Sequence, residues 1–296
     1  MNRAKIIIES AVAARRTLQA HGVDLTRRIN VFELLAAEGL VVAFRPLPRL
    51  AGAYLPDAGP KPGVMINSNH PVSKQRYTAA HELGHHRLGH GESLDAETGF
   101  GSADNARPAD EVAAEAFAGH LLLPRQLLRA AESQLGADVR TEEGCYRIAV
   151  FAGASFLAVA TQALVYKMLD RAEYEHLAAV VPAKVKRRLA GEPTVAVGAG
   201  DVVHADMASA TIVKPGDVLS IPRATEEALE LGPHLTLDSE GTAAGQPCWR
   251  VRVDGLDPVN PDEPAVASFA RTEASTYEIA IERARSGIAE SEVRLK

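Results

Sequence analysis

The chain has 296 residues, a net charge of −6 at neutral pH and a hydrophobic content of 46%. This length fits one large or two ordinary domains, and the charge excludes a generally basic surface for binding nucleic acid. The two cysteines, Cys145 and Cys248, are far apart, which excludes a disulfide-dense scaffold and favours a reducing compartment. Glu9 stops the short apolar run near the N-terminus, so we expect a cytoplasmic protein with no signal peptide and no membrane span.

The elements predicted before residue 70 are two helices and three strands. Apolar residues recur at helical spacing in the first helix, and strand-forming residues alternate with glycine and proline turns further on. The helices are predicted at residues 2–21 and 32–36, the second with Asn30 or Thr26 as its cap, and the strands at residues 40–44, 52–55 and 63–67.

The next element is a helix that contains the motif His-Glu-x-x-His. His81 and His85 are four residues apart, so they lie one turn apart on the same face. Two imidazole nitrogens in this arrangement can reach one Zn²⁺ ion. Glu82 projects beside them and can accept a proton from the water that attacks the substrate. The motif therefore predicts a hydrolytic zinc site.

A hydrolytic zinc site needs a third protein ligand, and two sources are known for such motifs. The version with a nearby glycine and histidine is excluded, because Gly89 and His90 are out of register with it. The alternative is an acidic residue on a second helix, which the alanine-rich and leucine-rich segment 110–124 predicts. Glu111 and Glu115 are four apart there, so one can bind zinc while the other hydrogen-bonds a ligand histidine.

Two segments together resemble the ImmA/IrrE family of bacterial zinc metallopeptidases. They are the stretch Arg-Tyr-Thr-Ala-Ala-His-Glu-Leu-Gly-His at residues 76–85 and the pattern Glu111-x-x-Ala114-x-x-Phe117-Ala118-x-x-Leu121-Leu122-Leu123-Pro124. The resemblance covers roughly residues 1–175. It implies a compact zincin fold, with His81, His85 and Glu111 as zinc ligands. It also implies that Glu82 is the general base. Glu115 stands where the family often has asparagine, so its role in orienting a ligand histidine is left open by the resemblance.

The resemblance raises an expectation about the strand before the motif helix. In zincins an edge strand at this place binds the substrate backbone by adding a strand to the sheet. Val64, Met65, Ile66 and Asn67 are therefore candidate substrate-binding residues, and the alternative is a plain core strand. The glycine-rich and acidic segment from Gly91 to Pro108 is either a lid over the cleft or a solvated loop.

Three further histidines lie near the motifs. We expect His86 and His90 to be surface residues rather than ligands. For His120, on the second helix, we expect a packing or capping role; the alternative is that it faces the cleft and stabilises an oxyanion.

Residues 125–178 are expected to form a helical appendage of the peptidase domain. Two of its helices are predicted at 151–160 and 164–169, joined by a short turn, and the family often has a helix-turn-helix-like segment here. A DNA-reading helix shows arginine, asparagine or glutamine at its exposed start, whereas this one offers mainly Ala160, Thr161 and Gln162, with Lys167 later. The pattern favours packing over direct DNA binding.

The pattern changes beyond residue 178. Residues 179–193 are predicted as a linker, with the basic run 184–188 solvated. Residues 194–296 are predicted as an all-β domain, a sandwich or barrel, with strands at 194–197, 210–213, 217–221, 249–253 and 277–282. By analogy with the family, this domain serves sensing or partner binding. The whole chain is thus predicted as α+β, a mostly helical zincin-like domain (1–178) with a small sheet, followed by a β-domain.

Two functions remain open. The first is a zinc-dependent endopeptidase that cleaves an intracellular protein. The resemblance implies a helix-turn-helix transcriptional repressor as its substrate, cleaved to derepress stress-response, phage or mobile-element genes. The second is a regulatory or antitoxin-like binding module that keeps the peptidase fold but has little proteolytic activity. The oligomeric state is left open by the sequence.

Overall fold

The computed structural model describes residues 2–96, 108–190, 200–205, 210–224, 227–243, 246–256, 265–282 and 287–288. Over these residues the chain is α+β, with helices in the first two thirds and three mixed sheets. None of the described helices is by itself both long and apolar enough to span a bilayer; one pair, bent by 102°, meets the length and composition together.

The helices are α1 (Arg3–Ala20), α2 (Val31–Ala37), α3 (Val72–Leu88), α4 (Ala109–Leu122), α5 (Arg125–Leu135), α6 (Glu142–Ala152), α7 (Phe156–Val165), α8 (Arg171–Ala178) and α9 (Pro182–Ala190). The strands are β1 (Val41–Arg45), β2 (Leu50–Leu55), β3 (Gly63–Asn67), β4 (Ser93–Ala96), β5 (Val202–His204), β6 (Thr211–Val213), β7 (Val218–Pro222), β8 (Glu230–Leu231), β9 (Leu235–Ala243), β10 (Gln246–Val253), β11 (Ala265–Arg271), β12 (Thr276–Glu282) and β13 (Gly287–Ile288).

The first sheet has the strand order β13-β1-β3-β2-β4. β3 is parallel to β1, with Val42 opposite Val64, and antiparallel to β2, with Tyr54 opposite Val64. Because β3 is hydrogen-bonded on both sides, its backbone cannot accept a further strand. The expectation that Val64, Met65, Ile66 and Asn67 bind substrate as an edge strand is therefore wrong, and the core-strand alternative is what the sheet order shows.

The edge on the motif side of this sheet is β4, in the segment that the sequence predicts as a loop. Residues 93–96 of that segment form a strand antiparallel to β2, with Leu94 opposite Ala53. Most of the segment predicted as a lid or a solvated loop, residues 97–107, lies outside the described residues.

Helix α3 lies between the first sheet and α4. From Gln75 to His85 nearly every residue is buried, which explains why α3 has no polar stripe. Gly84 allows α4 to approach closely, because a Cβ there would be only 3.1 Å from the Cα atom of Ala114. Gly89, with a φ of 71°, ends the helix in the left-handed conformation that favours glycine.

Helices α6 and α7 meet at 102° through residues 153–155, not through residues 161–163, where the sequence predicts the turn. Gly153 ends α6 with a φ of 64°, and the Ser155 side chain accepts a hydrogen bond from the Ala158 backbone and so caps α7. These are standard helix stop and start signals. Apolar residues lie on both sides of this break, so hydrophobic periodicity alone does not reveal where one helix ends and the next begins.

The segment predicted as a solvated linker contains α9. Val185 and Leu189 of α9 are buried and join the core of the helical part of the chain. The basic residues lie on the opposite side, as an amphipathic helix requires. Residues 191–199, and with them the strand predicted at 194–197, lie outside the described residues.

The C-terminal strands form two four-stranded sheets, ordered β5-β7-β10-β9 and β6-β12-β11-β8. Leu219 and Val251 from the first sheet and Ile279 from the second belong to one hydrophobic cluster, so the two sheets share a core. We call this two-sheet unit the β-region. β13, which follows β12, leaves the β-region and pairs with β1 of the first sheet.

Candidate metal centre

Four side chains from three elements converge on one point. They are His81 and His85 of α3, Asp95 of β4 and Glu111 of α4, and one ligand atom of each lies within 4.8 Å of the others. The Nε2 atoms of His81 and His85 are 3.0 Å apart. A carboxylate oxygen of Glu111 lies 3.3 Å from the His81 Nε2 atom, and its other oxygen lies 3.5 Å from that of His85. The structure thus brings together the three ligands that the resemblance implies.

Asp95 is the one residue of this cluster that the sequence does not mark as a candidate ligand. Its carboxylate lies 3.2 Å from the His81 Nε2 atom, as close as that of Glu111. The strand that holds it is only four residues long and has an exposed leucine, Leu94, at its centre. Such a segment has little alternation of apolar and polar residues, so the sequence offers no signal for a strand or for this aspartate.

The chemistry and spacing of these donors fit a zinc ion. Imidazole nitrogens and carboxylate oxygens are among the ordinary zinc ligands, at about 2.0–2.2 Å from the metal. Two nitrogens at that distance in a tetrahedral site are about 3.3 Å apart, close to the observed separation of the histidine Nε2 atoms. His81 and His85 are both buried, which holds their rings in place.

The charges in the cluster also favour a cation. Burial lowers the pKa of His81, but hydrogen bonds to Asp95 and Glu111 and the charge of Asp95 outweigh this effect and raise the pKa to about 10. Burial and the neighbouring His81 charge lower the pKa of His85 to about 4. The two carboxylates therefore stabilise a positive charge at His81, and a bound metal ion could supply that charge in place of the proton.

Glu82 is fully buried beside the cluster, and neither of its carboxylate oxygens has a hydrogen-bond partner among the described residues. Burial, with the charge of Asp95 as a second cause, raises the pKa of Glu82 well above its ordinary range. A carboxyl group with a raised pKa and unpaired oxygens is suited to accept and return a proton near neutral pH. The structure is thus compatible with the role that the motif predicts for it.

Gly52 of β2 provides the space for Glu82. A Cβ atom at Gly52 would lie 2.8 Å from Oε1 of Glu82 and 2.3 Å from Cγ2 of Thr78. A glycine inside a predicted strand often marks such a close approach, so the sequence holds a weak signal for this contact.

His90, which the sequence analysis expects at the surface, holds one of the ligand histidines. Its Nδ1 atom is 3.0 Å from Nδ1 of His85, and its Nε2 atom is 3.6 Å from a carboxylate oxygen of Asp110. If Nε2 of His85 held a metal, the proton of this ring would lie on Nδ1 and would be donated to His90. This places His90 in the orienting position expected of Glu115. His86 points elsewhere, to the Tyr54 hydroxyl at 3.0 Å.

Glu115 is the residue that the sequence suggests for orienting a ligand histidine. Nδ1 of His81 is buried without a partner in this part of the chain, and that of His85 faces His90. Glu115 is one turn beyond Glu111 and lines a cavity of about 510 Å³ between α1, α3, α4 and α7. Helix α4 crosses α3 near Gly84, so only its first turn faces the histidines.

His120 also lines this cavity, and its Nδ1 atom contacts the Tyr166 hydroxyl at 3.0 Å and the Gln162 amide at 3.1 Å. These contacts agree with the packing role and place its ring away from the metal-binding cluster, which it does not join.

Comparison with known families agrees with the resemblance drawn from the motifs. The family model described as the IrrE N-terminal-like domain matches residues 35–163, which include all four residues of the cluster and Glu82. No curated protein matches the chain. Residues 35–163 of this chain thus match the model of the family that the two motifs resemble.

Proposed function

We propose that this protein is a zinc-dependent endopeptidase. The observation that supports this most strongly is the convergence of two buried imidazoles and the Glu111 carboxylate on one point, with the buried Glu82 carboxyl beside them. Such a group of donors is typical of zincin peptidases, and the family match supports a peptidase role. In this proposal His81, His85 and Glu111 are the zinc ligands.

A zinc ion bound there would supply Lewis-acid activation of a water molecule and of the scissile carbonyl. Glu82 accepts the proton from the attacking water, since neither of its oxygens has another partner among the described residues. The same carboxyl group then returns the proton to the leaving amine. His90 keeps His85 in the tautomer that presents Nε2, and Glu111 fixes both rings from the opposite helix.

The substrate that we propose is an intracellular protein, a helix-turn-helix transcriptional repressor cleaved in the cytoplasm to derepress stress-response, phage or mobile-element genes. The support for this substrate class is the family resemblance. α7 has no arginine or lysine, which supports a protein rather than a DNA partner for this part of the chain.

The decisive test is cleavage of the repressor encoded nearest to this gene, with zinc added, by the wild-type protein and by Glu82→Gln. We expect a discrete pair of fragments from the wild type. The variant should retain one equivalent of zinc and cleave at least about 100-fold more slowly, the usual scale of a general base. Equal rates in the two proteins would disprove the role of Glu82. If the wild type neither binds metal nor cleaves, the regulatory or antitoxin-like binding module becomes the better interpretation.

A second experiment separates the roles of Glu111 and Asp95, which lie equally close to His81. We expect purified Glu111→Gln to lose stoichiometric zinc and Asp95→Asn to retain it, as elemental analysis would show. The two substitutions are matched, because each replaces a carboxylate by the amide of the same shape. The reverse pattern would make Asp95 the third ligand, and loss of zinc in both variants would indicate four protein ligands.

A further inference from the structure

A second cavity lies between the helical part of the chain and the β-region. Its volume is about 490 Å³, within the range of small-molecule sites. The helical part contributes the segment before α2 together with α5 and α6, and the β-region contributes β5, β6 and β12. We call it the interdomain cavity. It shares no residue with the metal-binding cluster.

The charged residues that line the interdomain cavity are mostly basic. They are Arg27, Arg28 and Arg147, against one carboxylate, Asp24. Asp24 is already engaged by Thr26 and by the Arg27 guanidinium at 3.5 Å. Arg28 is paired with Glu282 at 2.9 Å. Of the three arginines, Arg147 is therefore the one whose positive charge is least neutralised by a nearby carboxylate.

Arg147 has hydrogen-bonding capacity that the described residues do not satisfy. One terminal nitrogen donates to the Leu135 carbonyl at 2.8 Å, and the other is 4.0 Å from the half-exposed carboxylate of Glu143. Its Nε atom is buried and has no hydrogen-bond partner in the described part of the chain. The Nε atom is closed off from the cavity, but the guanidinium lines it with its side chain 23% exposed and no carboxylate closer than 4.0 Å among the described residues, so an anionic ligand there would pair with a largely uncompensated charge.

His204 of β5 lies in the wall of the same cavity. Burial and then the nearby Arg147 charge lower its pKa to about 4, so the ring is neutral at physiological pH. A neutral imidazole can donate or accept a hydrogen bond without adding charge. Thr26, Gln134 and Thr211 add polar groups to the wall. The remainder is apolar and comes from both parts of the chain, with Leu135, Val150, Phe151, Val202 and Ile212 as its larger members.

We propose that the interdomain cavity binds a small organic anion that combines an acidic group with an apolar body. The acidic group, a carboxylate or a phosphate ester, pairs with Arg147 beside His204, and the apolar body lies against the aliphatic and aromatic wall. An apolar wall with a few polar groups that fix orientation is the usual composition of such sites. The proposal is independent of the peptidase function, because the cavity and the metal-binding cluster have no residue in common.

Equilibrium dialysis of the full-length protein with radiolabelled octanoate tests this proposal. We expect saturable binding, with at least a tenfold loss in Arg147→Gln, the scale of one charge-assisted hydrogen bond. The matched control is Arg140→Gln, which removes an exposed arginine that pairs with Glu173 outside the cavity and should bind as the wild type does. Octanol, which lacks the charge, and inorganic phosphate, which lacks the apolar body, should compete poorly.

Two further measurements keep the test decisive. Because Arg147 also bonds the Leu135 carbonyl, the thermal unfolding of Arg147→Gln is measured beside its binding. Ile212→Phe, which enlarges a side chain of the apolar wall, should also weaken octanoate binding without removing any charge. Binding that does not saturate, equal binding by the Arg147 and Arg140 variants, or equal competition by octanol would overturn the proposal.

Discussion

At the scale of single residues, the sequence predicts part of the candidate metal site: the two motif histidines and the Glu111 carboxylate. A four-residue interval on a helix fixes the relative position of His81 and His85, so the sequence alone predicts that they share a ligand. Glu111 could be proposed because its helix has a clear pattern and a family resemblance. Asp95 and His90 could not, since their approach to the cluster depends on how β4 and the end of α3 are placed in space.

The contact between His90 and His85 gives a prediction at the residue scale. His90→Ala removes the hydrogen-bond partner of a ligand histidine, so we expect zinc affinity to fall about 10–100-fold. Competition with a chromogenic chelator measures this affinity. His86→Ala is the matched control, because His86 bonds Tyr54 and is not in the cluster. Equal affinities for the two variants would show that His90 does not orient His85.

At the scale of elements, the packing of α3 on the first sheet depends on a glycine. A side chain at Gly52 would overlap Cγ2 of Thr78 and lie 2.9 Å from the backbone carbonyl of Met65, and the contact with the carbonyl cannot be relieved without moving a strand. The fit of the motif helix against the sheet is therefore sensitive to a single methyl group.

We expect Gly52→Ala to lower the free energy of unfolding by about 1–3 kcal/mol, the usual cost of overpacking. It should also reduce peptidase activity, because the added methyl group would lie 2.8 Å from Glu82. Gly91→Ala is the control: no atom lies within 4 Å of a Cβ there, and we expect a change within about 0.5 kcal/mol. Urea unfolding measures both, and a Gly52 variant as stable as the wild type would contradict the close packing of α3 on β2.

The elements themselves differ in how well the sequence predicts them. α1 and α4 agree with their predicted positions to within a few residues, because each is long and has strong end signals or a strong composition. α3 is the helix predicted to contain the motif, but its bounds are not predicted from the sequence. The strands β5, β8, β9, β11 and β13 are absent from the sequence prediction, and β4 lies in a segment predicted as a loop or lid. Strands obtain much of their stability from neighbours that are distant in sequence, so their own residues give little indication of them, even in the nine residues of β9.

At the scale of the whole molecule, the β-region is tied to the motif helix through one carboxylate. Glu282, at the end of β12, pairs with Arg28 at 2.9 Å and lies 4.0 Å from Arg76 of α3, which is almost completely buried. Arg76 also donates to the Ile29 carbonyl at 2.7 Å. The helical part and the β-region therefore share a charged cluster near the N-terminal half of the motif helix α3.

Removing this carboxylate should destabilise the protein. We expect Glu282→Gln to lower the free energy of unfolding by about 1–3 kcal/mol, the scale for hydrogen bonds to charged groups. Glu278→Gln is the matched control on the same strand, because Glu278 is exposed, and its substitution should change stability by less than about 0.5 kcal/mol. Thermal unfolding of both variants is the measurement. Equal midpoints would mean that the charged cluster does not join the two parts.

The metal-binding motif, the glutamate helix and the change from helices to strands beyond α9 can all be predicted from the sequence. These features depend on local periodicity and composition, which the sequence displays directly. The folded chain was needed to show that β3 is central and β4 is the edge, that Asp95 and His90 reach the cluster, and that a basic cavity lies between the helical part and the β-region. Each of these features depends on contacts between residues far apart in the chain, which sequence spacing does not encode.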